Sequence, residues 1–152
     1  METPAFDARL LIEAGAGVTR TDILTDPYRA LDARQLKEID AFIARRSTRE
    51  PVAHILGRQA FWKHDFTVTP DVLIPRPETE LLVEQALAML PAAQDGATLS
   101  ALDLGVGSGA ILISLIKARG DLSGVGVDCS ARALVVARFN AAALDAGERI
   151  TL

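Results

Sequence analysis

The sequence predicts an α/β protein: a small helical first part, then a β-hairpin, then the first strands of a parallel, doubly wound sheet. Three observations support this prediction. Apolar residues recur at helical spacing up to about residue 57, β-branched and aromatic residues are frequent over 58–75, and residues 101–152 alternate between strand-like and helix-like segments. An alternation of strand, helix, strand, helix and strand is typical of a parallel sheet with crossover helices.

Composition and charge narrow the class of protein. The chain has 152 residues, is 49% hydrophobic and carries a net charge of −4, which suits one water-soluble domain or two small ones. No apolar run approaches the ~18 residues of a membrane span, and acidic residues stand where a signal peptide is basic. A single cysteine, Cys129, excludes an intrachain disulfide and fits a reducing cytoplasm. The mild acidity argues against binding nucleic acid through bulk charge, and two histidines with one cysteine predict no metal site.

The helical part contains one strongly marked helix, which begins after Asp32. The Asp32 side chain can cap this helix while Gln35, three residues on, completes a capping box. The residues predicted to line its buried face are apolar and recur at helical spacing: Leu36, Ile39, Phe42 and Ile43. Three arginines follow at its end, where cations suit the helix dipole: Arg45, Arg46 and Arg49. A solvated helix end is the favoured interpretation of these arginines, and a partner-binding patch is the alternative.

Residues 58–75 predict a β-hairpin or a pair of short strands that acts as a connector. The stretch VLIPRPETELLV (72–83) then changes the character of the chain. Pro75 and Pro77 hold the backbone extended around Arg76, because proline fixes φ and restricts the residue before it. Arg76 is either a surface charge or, with Glu78, a group held in place near a pocket.

The rest of the chain follows the alternation in order. A helix is predicted over 77–90, ended by Pro91, with Leu82 among the residues on its buried side. A surface loop follows over 91–100. The later elements are a strand over 101–104, a helix over 110–118, a strand over 125–128, a helix over 131–146 and a third strand begun by RITL at 149–152.

The chemistry is concentrated in DLGVGSGAI, residues 103–111. Gly105, Gly107 and Gly109 follow a strand and open a helix, where glycine permits φ > 0 and close approach of a ligand. A loop at the carboxyl end of the first strand is where open α/β sheets bind ligands. Gly105, Gly107 and Ala110 also fit the fingerprint of dinucleotide sites, with Asp128 at a suitable distance for a ribose.

Two details favour S-adenosylmethionine over a dinucleotide. Asp103 precedes the first glycine by two residues, and its carboxylate repels phosphate but attracts a cation. The third glycine, Gly109, extends the pattern to D-x-G-x-G-x-G. Asp103 would then lie near the cationic amino-acid end of the ligand and Asp128 would bind the ribose hydroxyls, although Asp128 could instead cap the next helix.

These residues also carry a family resemblance. The runs EPVAHILGRQAFW, FTVTPDVLIPRPETELLVE and LDLGVGSGAI resemble the bacterial release factor glutamine methyltransferases, the HemK/PrmC family. The resemblance implies a helical substrate-recognition domain over 1–57, a β-hairpin linker over 58–76, and over 77–152 the start of a Rossmann-like class I methyltransferase domain, incomplete and truncated in its third strand. The cofactor-binding residues it implies are Asp103, Gly105, Val106, Gly107, Ser108, Gly109 and Asp128. A possible cofactor or substrate pocket is formed by Pro75, Arg76, Pro77 and Glu78. Val106 departs from the family, in which threonine is common.

The resemblance further implies methyl transfer from S-adenosyl-L-methionine to the glutamine side chain of the Gly-Gly-Gln motif in peptide chain release factors, in support of translation termination. The family binds that glutamine with an Asn-Pro-Pro-Tyr motif, which residues 1–152 do not contain. We therefore assign no catalytic residue, and expect no turnover by this chain alone and possible self-association through an unpaired sheet edge. Two alternatives stay open: an amino-methyltransferase acting on a nucleic-acid base, and a partner-binding module without catalysis.

Overall fold

The computed structural model describes residues 4–92 and 98–152, which form two compact units, Met1–Leu56 and Gly57–Leu152. The middle of the predicted loop, residues 93–97, lies outside the described residues. The hairpin belongs to the second unit, and the predicted division into three domains stays a prediction. Within the described residues, no helix is both long and apolar enough to cross a membrane.

The first unit is built from helices, as the sequence predicts. They are α1 (Pro4–Ala16), α2 (Arg20–Thr25), α3 (Ala33–Ser47) and α4 (Val52–Leu56). Helix α1 packs against α3 and α4. Gly15 of α1 lies directly against α3, because a Cβ at Gly15 would be 2.7 Å from Cγ1 of Ile39.

The predicted start of α3 is confirmed, and its predicted buried face is partly wrong. The Asp32 side chain accepts a hydrogen bond from the Gln35 N–H at 2.8 Å, and the Gln35 side chain accepts one from the Asp32 N–H at 2.9 Å. Ile39 is buried, but Leu36 and Ile43 are each 50% exposed. The reason is the close approach of α1 at Gly15, which covers a narrow stripe of α3 around Ile39 and leaves the flanking residues in solvent.

The interpretation of the arginine cluster as a solvated helix end agrees with the exposure of Arg45 and Arg49, but it is wrong for Arg46, which pairs with a buried carboxylate. Arg46 donates from Nε to the carboxylate of the buried Asp7 at 2.8 Å. Arg45 donates to Glu50 at 2.9 Å and to the carbonyl oxygen of Ile55 at 3.1 Å. Their partners come from outside α3, which a helix-by-helix analysis of the sequence does not detect.

The predicted hairpin is confirmed. Strands β1 (Arg58–Phe61) and β2 (His64–Thr67) pair antiparallel. Phe61 and Phe66 are buried beneath the hairpin, with their rings edge to face and centroids 6.0 Å apart. The chain reverses at Trp62, whose φ of 56° is unusual for a residue other than glycine.

Helix α5 (Pro77–Met89) follows Arg76, which is its N-cap residue. Val83 is fully buried, but Leu82, predicted to be buried, is 54% exposed. The covered stripe of α5 follows the spacing i, i+3, i+4 and i+7 from Val83, and Leu82 lies about 100° away from it. The apolar residues of that stripe are Val83, Ala86, Leu87 and Leu90.

The rest of the second unit is the first part of a Rossmann-like parallel sheet. Strands β3 (Leu99–Leu104), β4 (Leu122–Val127) and β5 (Ile150–Thr151) are parallel and lie in the order β3-β4-β5. The crossover helices are α6 (Ala110–Ala118) and α7 (Ala131–Ala143). The last helix ends three residues before the predicted position, where the chain turns through Asp145 at a φ of 53°. Strand β3 forms one edge of the sheet among the described residues.

The sheet is covered on one face. On this face Gly124 of β4 lets α6 approach closely, since a Cβ there would be 2.6 Å from Leu112 Cδ1. On the opposite face the aliphatic side chains of β3 and β4 are 42 to 75% exposed: Leu102, Leu104, Val125 and Val127. Because β3 and β4 are parallel neighbours, their carboxyl ends lie together beside the start of α6, where the predicted site lies.

Candidate functional site

A glycine loop joins β3 to α6 and lies against the end of β4. Gly105, Gly107 and Gly109 have φ values of 84°, 54° and 83°, a region that favours glycine. The backbone N–H groups of Gly105 and Val106 donate to the carbonyl oxygen of Val127 at 2.8 and 2.9 Å. The N–H of Gly109 donates to the carbonyl oxygen of Val106 at 2.8 Å, which closes the loop into a tight turn.

The glycines of the loop have two different surroundings. A Cβ at Gly105 would meet no atom within 4 Å, and one at Gly107 would meet only a loop carbonyl at 3.9 Å. A ligand can therefore approach the backbone at these two positions. Gly109 instead faces the protein, because a Cβ there would be 2.7 Å from Ile113 Cδ1.

Two predicted cofactor-binding residues are buried by packing. Val106 is 5% exposed and Ser108 is 3% exposed. The Val106 side chain contacts the sheet at Gly126, where an added Cβ would be 2.8 Å from Val106 Cγ2. The side chains at these two positions therefore pack within the protein.

Asp103 lies at the carboxyl end of β3 with one oxygen buried. Its Oδ2 has no hydrogen-bond partner among the described residues. Burial raises the pKa of Asp103 above its ordinary value. A backbone hydrogen bond from Leu112 lowers this pKa in part, and the nearby negative charge of Asp128 raises it further. An unpaired, partly desolvated carboxylate is costly to the fold, and a cationic group placed beside it removes much of that cost.

Asp128 follows β4 directly and holds the loop from the other side. Its Oδ2 accepts a hydrogen bond from the Gly107 N–H at 2.9 Å, and its Oδ1 accepts one from the Ser130 N–H at 2.9 Å. These backbone hydrogen bonds, that of Ser130 first, hold the pKa of Asp128 below its ordinary value. Each carboxylate oxygen keeps a second lone pair, so Asp128 can accept hydrogen bonds from a ligand's hydroxyl groups while it positions the loop.

Among the described residues, no side-chain hydrogen bond or ion pair joins the second predicted set, Pro75 to Glu78, to the glycine loop. Arg76, Pro77 and Glu78 are exposed, and Pro75 is half-buried. Within residues 4–92 and 98–152, neither Arg76 nor Glu78 makes a side-chain hydrogen bond or ion pair. Their place in a cofactor or substrate pocket stays a prediction.

Two side chains that the sequence analysis did not single out position the site and its surroundings. Asn140 of α7 bonds to Ser108 in the loop and to Thr67 in β2. Glu80 of α5 accepts a hydrogen bond from the Trp62 N–H at 2.9 Å, at the turn of the hairpin. A signal for Asn140 was present, because this asparagine shares the buried stripe of α7 with apolar residues at helical spacing: Ala133, Val136, Ala137 and Ala141.

The loop geometry predicts a specific cost of adding one methyl group. Gly105→Ala places a Cβ on a residue with φ of 84°, so we expect a loss of about 1 to 2 kcal/mol in the free energy of unfolding. Gly120→Ala is the matched control, since an added Cβ there meets nothing within 4 Å and φ is not positive. Urea unfolding at 25 °C measures both. Equal stability of the two variants would contradict the prediction.

Comparison with known proteins shows that the chain is similar to one family. A family model described as the PrmC N-terminal domain matches residues 1–57. The release factor glutamine methyltransferase of Caulobacter vibrioides is 49% identical over 152 residues, which are 100% of this chain and 52% of that protein. Those of Coxiella burnetii and Escherichia coli are each 42% identical over 140 residues, covering 92% of this chain and 50% and 49% of the relatives. The chain thus spans about half the length of the curated relatives it matches.

A solved structure shows a weaker likeness. The S-adenosylmethionine-dependent methyltransferase of Geobacter sulfurreducens, in complex with S-adenosyl-L-homocysteine, aligns at 30% identity and a TM-score of 0.40 over 50% of this chain and 28% of that one. A score this low says nothing further about the ligand of this chain. The sequence identity of the curated relatives extends over 92 to 100% of the chain in the examples above, so nearly the whole chain is similar to about half of a release factor glutamine methyltransferase.

Proposed function

We propose that this chain carries the S-adenosylmethionine-binding part of an enzyme that methylates the side-chain amide of the glutamine in the Gly-Gly-Gln motif of peptide chain release factors, in the cytoplasm, and so supports translation termination. The observation that carries the proposal is the buried, unpaired oxygen of Asp103 beside an open glycine loop. A phosphate-bearing ligand fits poorly there, because the carboxylate would repel it.

The residues present fit S-adenosylmethionine, whose sulfonium supplies an activated methyl group. Asp103 would bind its ammonium group, since that contact gives the unpaired Oδ2 a cationic partner. The backbone of Gly105 and Gly107 would contact the cofactor directly, since neither residue has a Cβ that would occupy the open space beside the loop. Asp128 would accept hydrogen bonds from its ribose hydroxyls, and its lowered pKa keeps it ionised for that purpose.

Calorimetry on the 152-residue chain tests the cofactor part of the proposal. We expect S-adenosylmethionine to bind and NAD to bind at least tenfold more weakly, because Asp103 attracts an ammonium group and repels a pyrophosphate. Binding of NAD with equal or greater affinity would contradict the proposal and favour a dinucleotide site. Binding of a release factor without binding of S-adenosylmethionine would favour a partner-binding module.

The substrate part is tested by a hybrid protein in which this chain replaces the matching half of the Caulobacter vibrioides relative. We expect the hybrid to methylate a release factor and not RNA or DNA. Methylation of nucleic acid alone would favour the base-methylating alternative.

The 152-residue chain by itself is proposed to have no turnover, since it lacks an Asn-Pro-Pro-Tyr motif. Self-association through the edge of β3 stays a prediction, which sedimentation would test.

A further inference from the structure

Asn140 is a buried polar residue on a helix face that is otherwise apolar. It is 1% exposed, and its neighbours on the buried stripe of α7 include Ala137 and Ala141. A primary amide transferred from water to such a place is unfavourable unless its hydrogen bonds are made. The partners of Asn140 therefore indicate what the residue does.

The first partner is the end of the hairpin. Asn140 Oδ1 accepts a hydrogen bond from the Thr67 N–H at 2.8 Å, and Nδ2 donates to the Thr67 carbonyl oxygen at 2.9 Å. The side-chain amide thus bonds to both backbone groups of Thr67, as a neighbouring strand would. Thr67 is the last residue of β2, so Asn140 adds hydrogen bonds to β2 besides those that β2 makes with β1.

The second partner is the glycine loop. Asn140 Nδ2 also donates to the carbonyl oxygen of Ser108 at 2.8 Å. This carbonyl belongs to the peptide that joins Ser108 to Gly109, whose N–H closes the turn onto Val106. The Ser108–Gly109 peptide is therefore held on its carbonyl side by α7 and on its N–H side by the loop itself.

We propose that Asn140 is a positioning residue that fixes the glycine loop to the hairpin, so that the conformation of the loop and its affinity for S-adenosylmethionine depend on this one amide. The inference rests on the proposed function. Asn140 would be the second anchor of the loop, since Asp128 holds Gly107 from the end of β4 while Asn140 holds Ser108 from α7.

The chemistry of the anchor requires an amide. Asn140 uses two donors toward two carbonyl oxygens and one acceptor toward an N–H. Aspartate has the same shape, but an ionised carboxylate only accepts hydrogen bonds and would be repelled by both carbonyl oxygens. Leucine has a similar volume and makes none of the three hydrogen bonds. The two variants therefore remove the anchor in different ways.

The test measures S-adenosylmethionine affinity and backbone hydrogen exchange on the 152-residue chain, at a temperature where circular dichroism shows each variant to be folded. We expect Asn140→Leu and Asn140→Asp to bind about tenfold more weakly than the parent chain. We expect the Thr67 and Gly109 amides, which are far apart in sequence, to lose exchange protection together. Ser114→Ala is the matched control, because Ser114 is buried in α6 with no hydrogen-bond partner for its hydroxyl among the described residues.

Three outcomes decide the inference. Unchanged affinity in a folded Asn140 variant, or loss of protection at Thr67 without loss at Gly109, would overturn it. If neither variant folds, hydrogen exchange in the parent chain tests the inference. Added S-adenosylmethionine should slow exchange of the Asn140 side-chain protons and of the Thr67 amide. Slowing that is confined to the glycine loop would overturn the inference. If the parent chain binds no S-adenosylmethionine, the proposed function fails, and joint loss of protection still separates a true anchor from two independent contacts.

Discussion

Replacing Asp103 with asparagine is expected to weaken S-adenosylmethionine binding by about tenfold to a hundredfold and, at neutral pH, to raise the thermal unfolding midpoint of the chain. A charge-assisted hydrogen bond contributes about 1.5 to 3 kcal/mol, which corresponds to that range of affinity. The Asp103→Asn variant keeps the shape of the side chain and loses the charge that attracts the ammonium group. The unbound fold gains, because the variant no longer holds a desolvated carboxylate with an unpaired oxygen.

The sign of the stability change follows from the pKa of Asp103. Burial raises this pKa in the folded chain, so the stability contributed by the neutral carboxyl is fully present below the unfolded-state value of about 3.9 and is lost as pH rises through the folded value. At neutral pH the charged form therefore destabilises the fold. The difference in unfolding midpoint between variant and parent should be largest near neutral pH and should shrink as the pH falls toward 4.

A second aspartate in the same unit provides the control. Asp121 accepts hydrogen bonds from Arg119 at 2.8 and 2.6 Å, and these bonds lower the pKa of Asp121. Its contribution has the opposite sign: it is present above the unfolded pKa and is lost as the pH falls through the folded value. Asp121→Asn should therefore lower the midpoint at neutral pH and leave S-adenosylmethionine affinity unchanged. An Asp103→Asn chain that is less stable at neutral pH, or that binds equally well, would contradict the prediction.

The parts of the site that the sequence predicts are those encoded by neighbours along the chain. The spacing of Gly105, Gly107 and Gly109 requires a loop with positive φ, and helix α6 occupies the predicted residues 110–118. Such features follow from backbone sterics and apolar periodicity, which act over a few residues. The expected unpaired sheet edge is also present among the described residues, where β3 pairs with β4 alone.

The parts that were missed depend on residues far apart in the chain. Asn140 bonds to groups 32 and 73 positions away, and Arg46 bonds to a carboxylate 39 positions away. Apolar periodicity predicts that a helix has an apolar face, but the width of the stripe that is buried depends on the neighbouring helices that pack against it. Leu36 and Leu82 were therefore predicted to be buried and are exposed.

Removing the Arg46 guanidinium is expected to destabilise the first unit by about 3 kcal/mol, the low end of the cost of breaking a buried ion pair. Asp7 Oδ2 accepts a hydrogen bond from Arg46 Nε at 2.8 Å and lies 2.7 Å from Arg46 Nη2, and Asp7 Oδ1 has no partner among the described residues. Arg46→Met would leave the carboxylate buried without a cation. We expect the low end of this range of energies because only Asp7 is deeply buried: the Arg46 side chain is 35% exposed and that of Asp7 is 7% exposed.

Two further variants separate this ion pair from a general loss of arginine. Arg45→Met breaks a more exposed pair, in which Arg45 is 44% exposed, so we expect a cost of about 1 kcal/mol or less. Asp7→Leu combined with Arg46→Met removes both charges and should recover much of the stability, because no unpaired charge is left in the apolar interior. Native-state hydrogen exchange of the α1 and α3 amides in low urea measures each cost within the first unit. If Arg46→Met were no more costly than Arg45→Met, or if the double variant were less stable than Arg46→Met, Asp7 would not be the group whose burial depends on this cation.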